Sequence, residues 1–144
     1  AVAVIEDIDY PDCIGAYWGE INTKVHKAFG LSGALTNGVV RDLGDLAEDF
    51  PVVAGSIGPS HGFVHVREID TKVSFFGISI SPNDLIHADL HGAVIIPKAV
   101  IDSLKDAIHK LFASEKLILD PARRKDFNFD DFKRAWEDFE KSRT

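Results

Sequence analysis

Asn37-Gly38-Val39-Val40-Arg41-Asp42 reads as a short apolar strand that ends abruptly in an adjacent cation and carboxylate. Open α/β folds hold their ligands at strand ends, because rigid backbone fixes the side chains and the following loop leaves room for substrate. Arg41 and Asp42 would stand at such a rim. Taken alone, the six residues read more simply as an exposed Arg-Asp pair closing a strand, a contact that contributes little. A chemical role needs a second motif.

On either side of this strand the apolar pattern alternates between short strands and helices. Ala1 to Ile5 is an apolar strand with no lead-in and no Met before it, as expected of an excised or processed chain. Ile21, Val25, Ala28 and Phe29 follow helical spacing, and Gly30 closes that segment as a C-terminal glycine. Ala34-Leu35-Thr36 is a strand, and Leu43 to Phe50 is expected as a short helix stopped by Pro51. Pro51 to Ile57, Gly62 to Glu68 and Val73 to Ile80 are expected as further strands. In the second of these, Phe63, His65 and Arg67 alternate with Val64 and Val66. Leu85-Ile86-His87-Ala88 and Ala93-Val94-Ile95-Ile96 flank Asp89-Leu90-His91-Gly92, a tight connection.

Pro97 opens a long helix, with Val100, Ile101, Leu104, Ala107, Ile108, Leu111 and Phe112 forming a stripe that is expected to pack on the sheet. The last segment, 127–144, is a charged helix carrying Phe129, Phe132, Trp136 and Phe139 at three- and four-residue steps, with Asn128 as its N-cap. That aromatic stripe suits either the domain's own core or a subunit contact.

With 144 residues, 45% of them hydrophobic, the chain can bury the core of one ordinary domain, and one domain is expected. The net charge of -7 and the scattered basic residues argue against a nucleic-acid phosphate track. No apolar run approaches the ~20 residues of a membrane span, and the N-terminus lacks a signal pattern, so a cytoplasmic setting away from membranes is expected. Cys13 is the lone cysteine, which excludes an internal disulfide and leaves a small buried or half-buried residue.

The second motif is Trp18-Gly19-Glu20-Ile21-Asn22, where a glycine and an acid stand at a helix entrance. Free backbone N-H groups and the helix dipole can hold a carboxylate or phosphate there, and Gly19 allows close approach to the main chain. Glu20 equally suits a structural acid in a first turn.

A third motif is Pro82-Asn83-Asp84-Leu85-Ile86-His87-Ala88-Asp89-Leu90-His91-Gly92-Ala93-Val94-Ile95-Ile96-Pro97. With these three motifs in this order, the chain from about Ala3 to about Leu117 resembles the family named for the regulator of ribonuclease activity A, the RraA-like family. That family includes metal-dependent 4-hydroxy-4-methyl-2-oxoglutarate aldolases that also decarboxylate oxaloacetate, and its members are often labelled demethylmenaquinone methyltransferases. The resemblance implies an α/β, swivelling β/β/α domain with a mixed sheet flanked by helices, here lacking the family's N-terminal segment. It also implies homotrimers or homohexamers with sites at subunit boundaries.

The family's Gly-Asp-x-x helix start, whose main chain holds the substrate carboxylate, falls on Gly19, Glu20, Ile21 and Asn22. Its substrate-binding arginine falls on Arg41. Its metal-binding aspartate falls on Asp42, which would hold magnesium or manganese completed largely by water. Glu20 departs from the family's aspartate. Asn83 departs from the glycine of Pro-Gly-Asp, and asparagine tolerates the positive φ that such a turn asks for.

The implied function is a carbon-carbon lyase that cleaves a 4-hydroxy-2-oxo acid to pyruvate or decarboxylates oxaloacetate. Asp42 would hold the metal, Arg41 would stabilise the developing oxyanion, and Glu20 would move the 4-hydroxyl proton. The alternative is a regulator without catalysis that binds a ribonuclease or another protein, suggested by the aromatic C-terminal helix. His61 with His65 and His87 with His91 are spaced by four, which favours a zinc site only on a helix or across a turn. His26 and His109 are expected at solvent-edge helix positions, and Asp89 and His91 have no assigned role.

Overall fold

A computed structural model describes residues 1–143; Thr144, the end of the expected last helix, lies outside the described residues. The chain is α/β and forms two compact units, Ala1–Ile96 and the residues from Pro97 onward.

In the first unit, β1 (Ala3–Ile5), β2 (Ala34–Thr36) and β4 (Val52–Val53) form a parallel sheet in the order β1-β2-β4. β2 is central because both of its faces are apolar. Ala34 packs with Trp18, Val40, Ala47 and Phe50, while Leu35 packs with Phe75 and Ile80 on the other side. Fully burying a side chain of leucine size contributes roughly 1.5–3 kcal/mol, so these two clusters fix β2 between them.

β3 (Val39–Val40) pairs in parallel with β5 (Ser56–Ile57), and Trp18 bridges to Val40 on the other side of β3. Between β2 and β3 the chain bends at Asn37-Gly38. There the Asn37 side chain accepts from the Asp7 N-H at 2.7 Å and donates to the Asp7 carbonyl at 3.1 Å. Gly38 sits so close to Asp7 that a Cβ would lie 2.8 Å from its carboxylate.

Helix α1 (Glu20–Ala28) ends with Gly30 at φ +85°, and the Leu31 N-H donates to the His26 carbonyl, as a glycine C-cap does. Its inward face is not the apolar stripe expected from the sequence. Thr23 is fully buried, whereas Ile21, Val25 and Phe29 are exposed.

Leu43 to Phe50 is a series of turns rather than a helix. Asp42 and Asp49 both take positive φ, and the Ala47 N-H donates to Thr23 Oγ1 instead of to a carbonyl one turn back. Pro51 to Ile57 is two strands, β4 and β5, broken where the Gly55 N-H turns to the Gly38 carbonyl. Gly62 to Glu68 is an exposed loop. Its alternating pattern finds no ladder partner among the described residues.

Val73 to Ile80 is an antiparallel hairpin of β6 (Val73–Phe75) and β7 (Ile78–Ile80), turned at Phe76-Gly77 with both residues at positive φ. The expected second hairpin is present as β8 (Leu85–Asp89) and β9 (Gly92–Ile96), with Leu90-His91 as its two-residue loop. Asn83 takes φ +68°, and the Ser81 N-H donates to Asp84 Oδ2 at 2.8 Å, so the turn keeps its form without glycine.

In the second unit, a 3-10 turn (Lys98–Val100) leads into α2 (Ile101–Ala122), which packs with α3 (Phe129–Arg143). The small residues Ser114 and Ala135 are the buried positions of these two helices. The stripe expected to lie on the sheet is largely exposed at Val100, Ile101, Ile108, Leu111 and Phe112, and the partner helix of α2 is α3. Asn128 caps α3, its Oδ1 accepting from the N-H groups of Asp130 and Asp131. Along α3, Phe129, Phe132, Trp136 and Phe139 form a continuous run of ring contacts with centroids 5.6–6.2 Å apart. Among the described residues no helix is long and apolar enough to cross a membrane.

Candidate functional site

The start of α1 and the end of β3 meet because the segment before α1 runs alongside β3. The Arg41 N-H donates to the Trp18 carbonyl at 3.0 Å, which carries the strand pairing one residue past the Trp18-Val40 bridge. Gly19, the residue before the helix, therefore lies against Arg41 and Asp42. A Cβ on Gly19 would fall 2.6 Å from Asp42 Oδ2 and 2.9 Å from Arg41 Cγ, which leaves room only for glycine.

Asp42 has φ +57°, a left-handed conformation that aspartate adopts more readily than most residues. This conformation turns the chain into the loop after β3, and the Asp45 N-H donates back to the Asp42 carbonyl at 2.9 Å. Asp42 Oδ2 accepts from the Glu20 N-H at 3.1 Å, so it satisfies one of the donors that a helix start leaves open. The same oxygen lies 3.2 Å from Arg41 Nε. That approach is an ion pair without hydrogen-bond alignment, because Arg41 Nε remains a buried donor with no acceptor.

The Arg41 side chain is 10% exposed and that of Asp42 38%. Arg41 Nη1 donates to the Ala16 carbonyl at 2.5 Å, which pins one edge of the guanidinium. Asp42 Oδ1 has no protein partner among the described residues.

The structure thus brings Gly19, Arg41, Asp42 and the main chain of Glu20 together. It does not bring the Glu20 carboxylate to them, since that group pairs with Lys24 Nζ at 2.5 Å on the outer face of the helix. Ile21 offers only its backbone, and its side chain is exposed. Asn22 is drawn inward, its Nδ2 donating to the Tyr17 carbonyl at 2.5 Å.

Thr23 is a residue that the sequence reading missed. Its Oγ1 lies 3.0 Å from the carbonyls of Gly19 and Glu20, to one of which it donates, and it accepts from the Ala47 N-H at 3.0 Å. A single buried hydroxyl therefore ties the helix start to the loop after Asp42. A search for apolar periodicity passes over such a position; a β-branched hydroxyl in a first turn is the available signal.

His26 also departs from expectation. It is half-buried, with Nδ1 donating to the Asn22 carbonyl at 2.7 Å and its ring edge-on to fully buried Trp18 at 4.8 Å. Asp89, at the second hairpin tip, accepts from the His91 N-H at 2.8 Å, with the imidazoles of His91 and His87 3.2 and 3.7 Å away. The His91 N-H, then its side chain, hold the Asp89 carboxyl below the usual carboxylate range. Burial, followed by the charge of Asp7, pushes the Cys13 thiol up and away from nucleophilic use. An open depression of about 400 Å³ beside Val40 is lined by Leu43, Val52, Ala54, Gly55, Ser56 and Ile57, and brings no titratable group.

A family model described as RraA-like, Aldolase/RraA, matches residues 1–95, which contain all of this geometry. The chain belongs to the RraA-like family. Among curated relatives, an uncharacterized protein of Methanocaldococcus jannaschii is 30% identical over 105 residues, 72% of this chain and 50% of that protein. A protein of Halalkalibacterium halodurans named as a 4-hydroxy-4-methyl-2-oxoglutarate aldolase is 27% identical over 107 residues, 73% of this chain and 51% of that one. Among solved structures, an uncharacterized protein from Pseudomonas syringae pv. tomato superposes with a TM-score of 0.73 at 20% identity. That match covers 99% of this chain and 66% of the other. This RraA-like chain spans about half the length of the two curated relatives described.

Proposed function

We propose that this RraA-like chain carries the site of a divalent-metal-dependent lyase that cleaves 4-hydroxy-4-methyl-2-oxoglutarate, or a similar 4-hydroxy-2-oxo acid, and decarboxylates oxaloacetate. The observation that carries the reading is the meeting of a helix start, a buried arginine donor without an acceptor and a half-exposed carboxylate around one glycine. The relative named as an aldolase supports it at the level of the family.

The donor set fits a hard divalent cation such as magnesium or manganese. These ions accept one or two carboxylates with water in the other positions, and Asp42 offers one carboxylate oxygen that no protein group holds. A single carboxylate suits zinc less well, because zinc is ordinarily held by three or four His, Cys or carboxylate side chains. Bound at Asp42, the cation would supply the electron sink for C-C cleavage.

The residues of the chain do the rest. The N-H groups that open α1, that of Glu20 among them once Asp42 turns to the cation, take the substrate carboxylate. Arg41 places a fixed positive charge beside the 2-oxo oxygen, on which the electron pair of the broken C3-C4 bond settles. Glu20 accepts the 4-hydroxyl proton in a side-chain conformation that leaves Lys24 and turns toward Asp42, and a proton returned to C3 completes pyruvate. With oxaloacetate the same pair of electrons is released as carbon dioxide departs, and no hydroxyl proton is needed.

Incubation of the purified protein with each substrate, with magnesium and after chelation, tests the reading through pyruvate release. Metal-dependent pyruvate is expected, and none from either substrate would refute it. In that event the regulator reading gains support, with the exposed Phe129, Phe132 and Trp136 of α3 as the surface to examine for a ribonuclease or other protein partner.

A further inference from the structure

We propose that the Asp42 carboxylate is a built-in competitor for the anion site at the start of α1, so that a small carboxylate enters only when that charge is drawn outward or removed. The inference rests on the reading above that this site takes a 2-oxo acid, and it concerns how the site is controlled. A helix start with a cationic neighbour attracts an anion, and here an anion is already seated. Asp42 Oδ2 holds the Glu20 N-H at 3.1 Å and stands 3.2 Å from Arg41 Nε.

Arg41 Nε supplies the independent sign of a ligand. It is a buried donor on a side chain only 10% exposed, beside a negative oxygen yet without an aligned acceptor. Asp42 satisfies the charge of this pocket without completing its hydrogen bonding. A ligand carboxylate that bonds both the Glu20 N-H and Arg41 Nε would occupy the position of Asp42 Oδ2, in the space that Gly19 leaves open. Two carboxylates cannot share that position, since like charges in contact repel strongly.

Asp42 has a way out, being 38% exposed with Oδ1 facing no protein group among the described residues. A cation that draws Asp42 outward would therefore open the helix start, making cation and carboxylate binding mutually reinforcing.

Oxalate titration by calorimetry tests this on chelator-treated protein, for the wild type, Asp42→Gly and Asp42→Asn. Glycine suits φ +57° at this position. Asparagine tolerates it too and keeps a neutral side chain of the same shape. Asp42→Gly is expected to bind oxalate roughly tenfold or more tighter than the wild type without metal. Magnesium should tighten binding by the wild type and leave Asp42→Gly unchanged. Arg41→Ala added to Asp42→Gly should remove the gain.

Equal or weaker metal-free binding by both single variants, with thermal unfolding showing them folded, overturns the proposal. So does tight metal-free binding by the wild type. A gain in oxalate binding without any pyruvate production would leave this inference standing and remove the lyase reading, and pyruvate production without the gain would do the reverse.

Discussion

At the scale of single residues, close approach and buried hydrogen bonds decide which changes are tolerated. Gly19→Ala would force a methyl against Asp42 Oδ2 and Arg41 at under 3 Å. Overpacking of this kind typically costs about 1–3 kcal/mol. The expected outcome is a lowered unfolding temperature together with loss of most pyruvate-forming activity. Thr23→Val keeps the shape but leaves the Ala47 N-H without its acceptor. An unsatisfied buried donor costs roughly 1–3 kcal/mol, so chemical denaturation should show a loss of that order, with Thr23→Ser recovering much of it. Arg41→Met should reduce turnover by on the order of a hundredfold, the loss expected for one donor to a developing oxyanion. A smaller effect on turnover than on substrate affinity would assign Arg41 to binding alone.

At the scale of elements, what was legible in the sequence is what local chemistry decides. Gly30 closed α1, Asn83 served its turn and Asn128 capped α3, because each acts through its own backbone or nearest neighbours. The second hairpin was legible from two apolar runs of matched length around a short connection.

The misreadings arose where distant partners decide. Leu43 to Phe50 has a helical pattern, but Thr23 takes the Ala47 N-H that a helix would need. Gly62 to Glu68 alternates as a strand does, yet alternation without a ladder partner leaves a loop. In α1 the helical spacing of Ile21, Val25 and Phe29 marks an exposed face, while the buried position is Thr23, satisfied by carbonyls and so invisible to apolar periodicity. In the candidate site, the juxtaposition of Gly19, Arg41 and Asp42 was readable from motif chemistry. The seating of Asp42 on the Glu20 N-H was not, since it depends on strand pairing.

The β8-β9 hairpin gives a pH test at this scale. Asp89 is held below the usual carboxylate range chiefly by the His91 N-H, so its contribution is present above the ordinary carboxylate range and is lost as pH falls through the depressed value. Carboxyl NMR should find that low midpoint, and His91→Ala should raise it only in part, because the backbone donor remains. A full return to the ordinary value would contradict that cause.

At the scale of the whole molecule, the exposed Ile21, Val25 and Phe29 on α1 line up at helical spacing beside the site, an apolar face that association with a second copy would cover. We propose a homotrimer or homohexamer on this basis and on the family resemblance. Sedimentation should show it, with Val25→Asp shifting the chain toward monomer. The central claim is more specific: one 2-oxo acid joins the start of α1 to the end of β3 through Asp42. A crystal structure of the protein soaked with pyruvate and magnesium tests it most directly. The account predicts pyruvate with its carboxylate on the N-H groups that open α1, its 2-oxo oxygen toward Arg41, and magnesium on Asp42. Pyruvate bound away from Gly19, or magnesium held without Asp42, would contradict it.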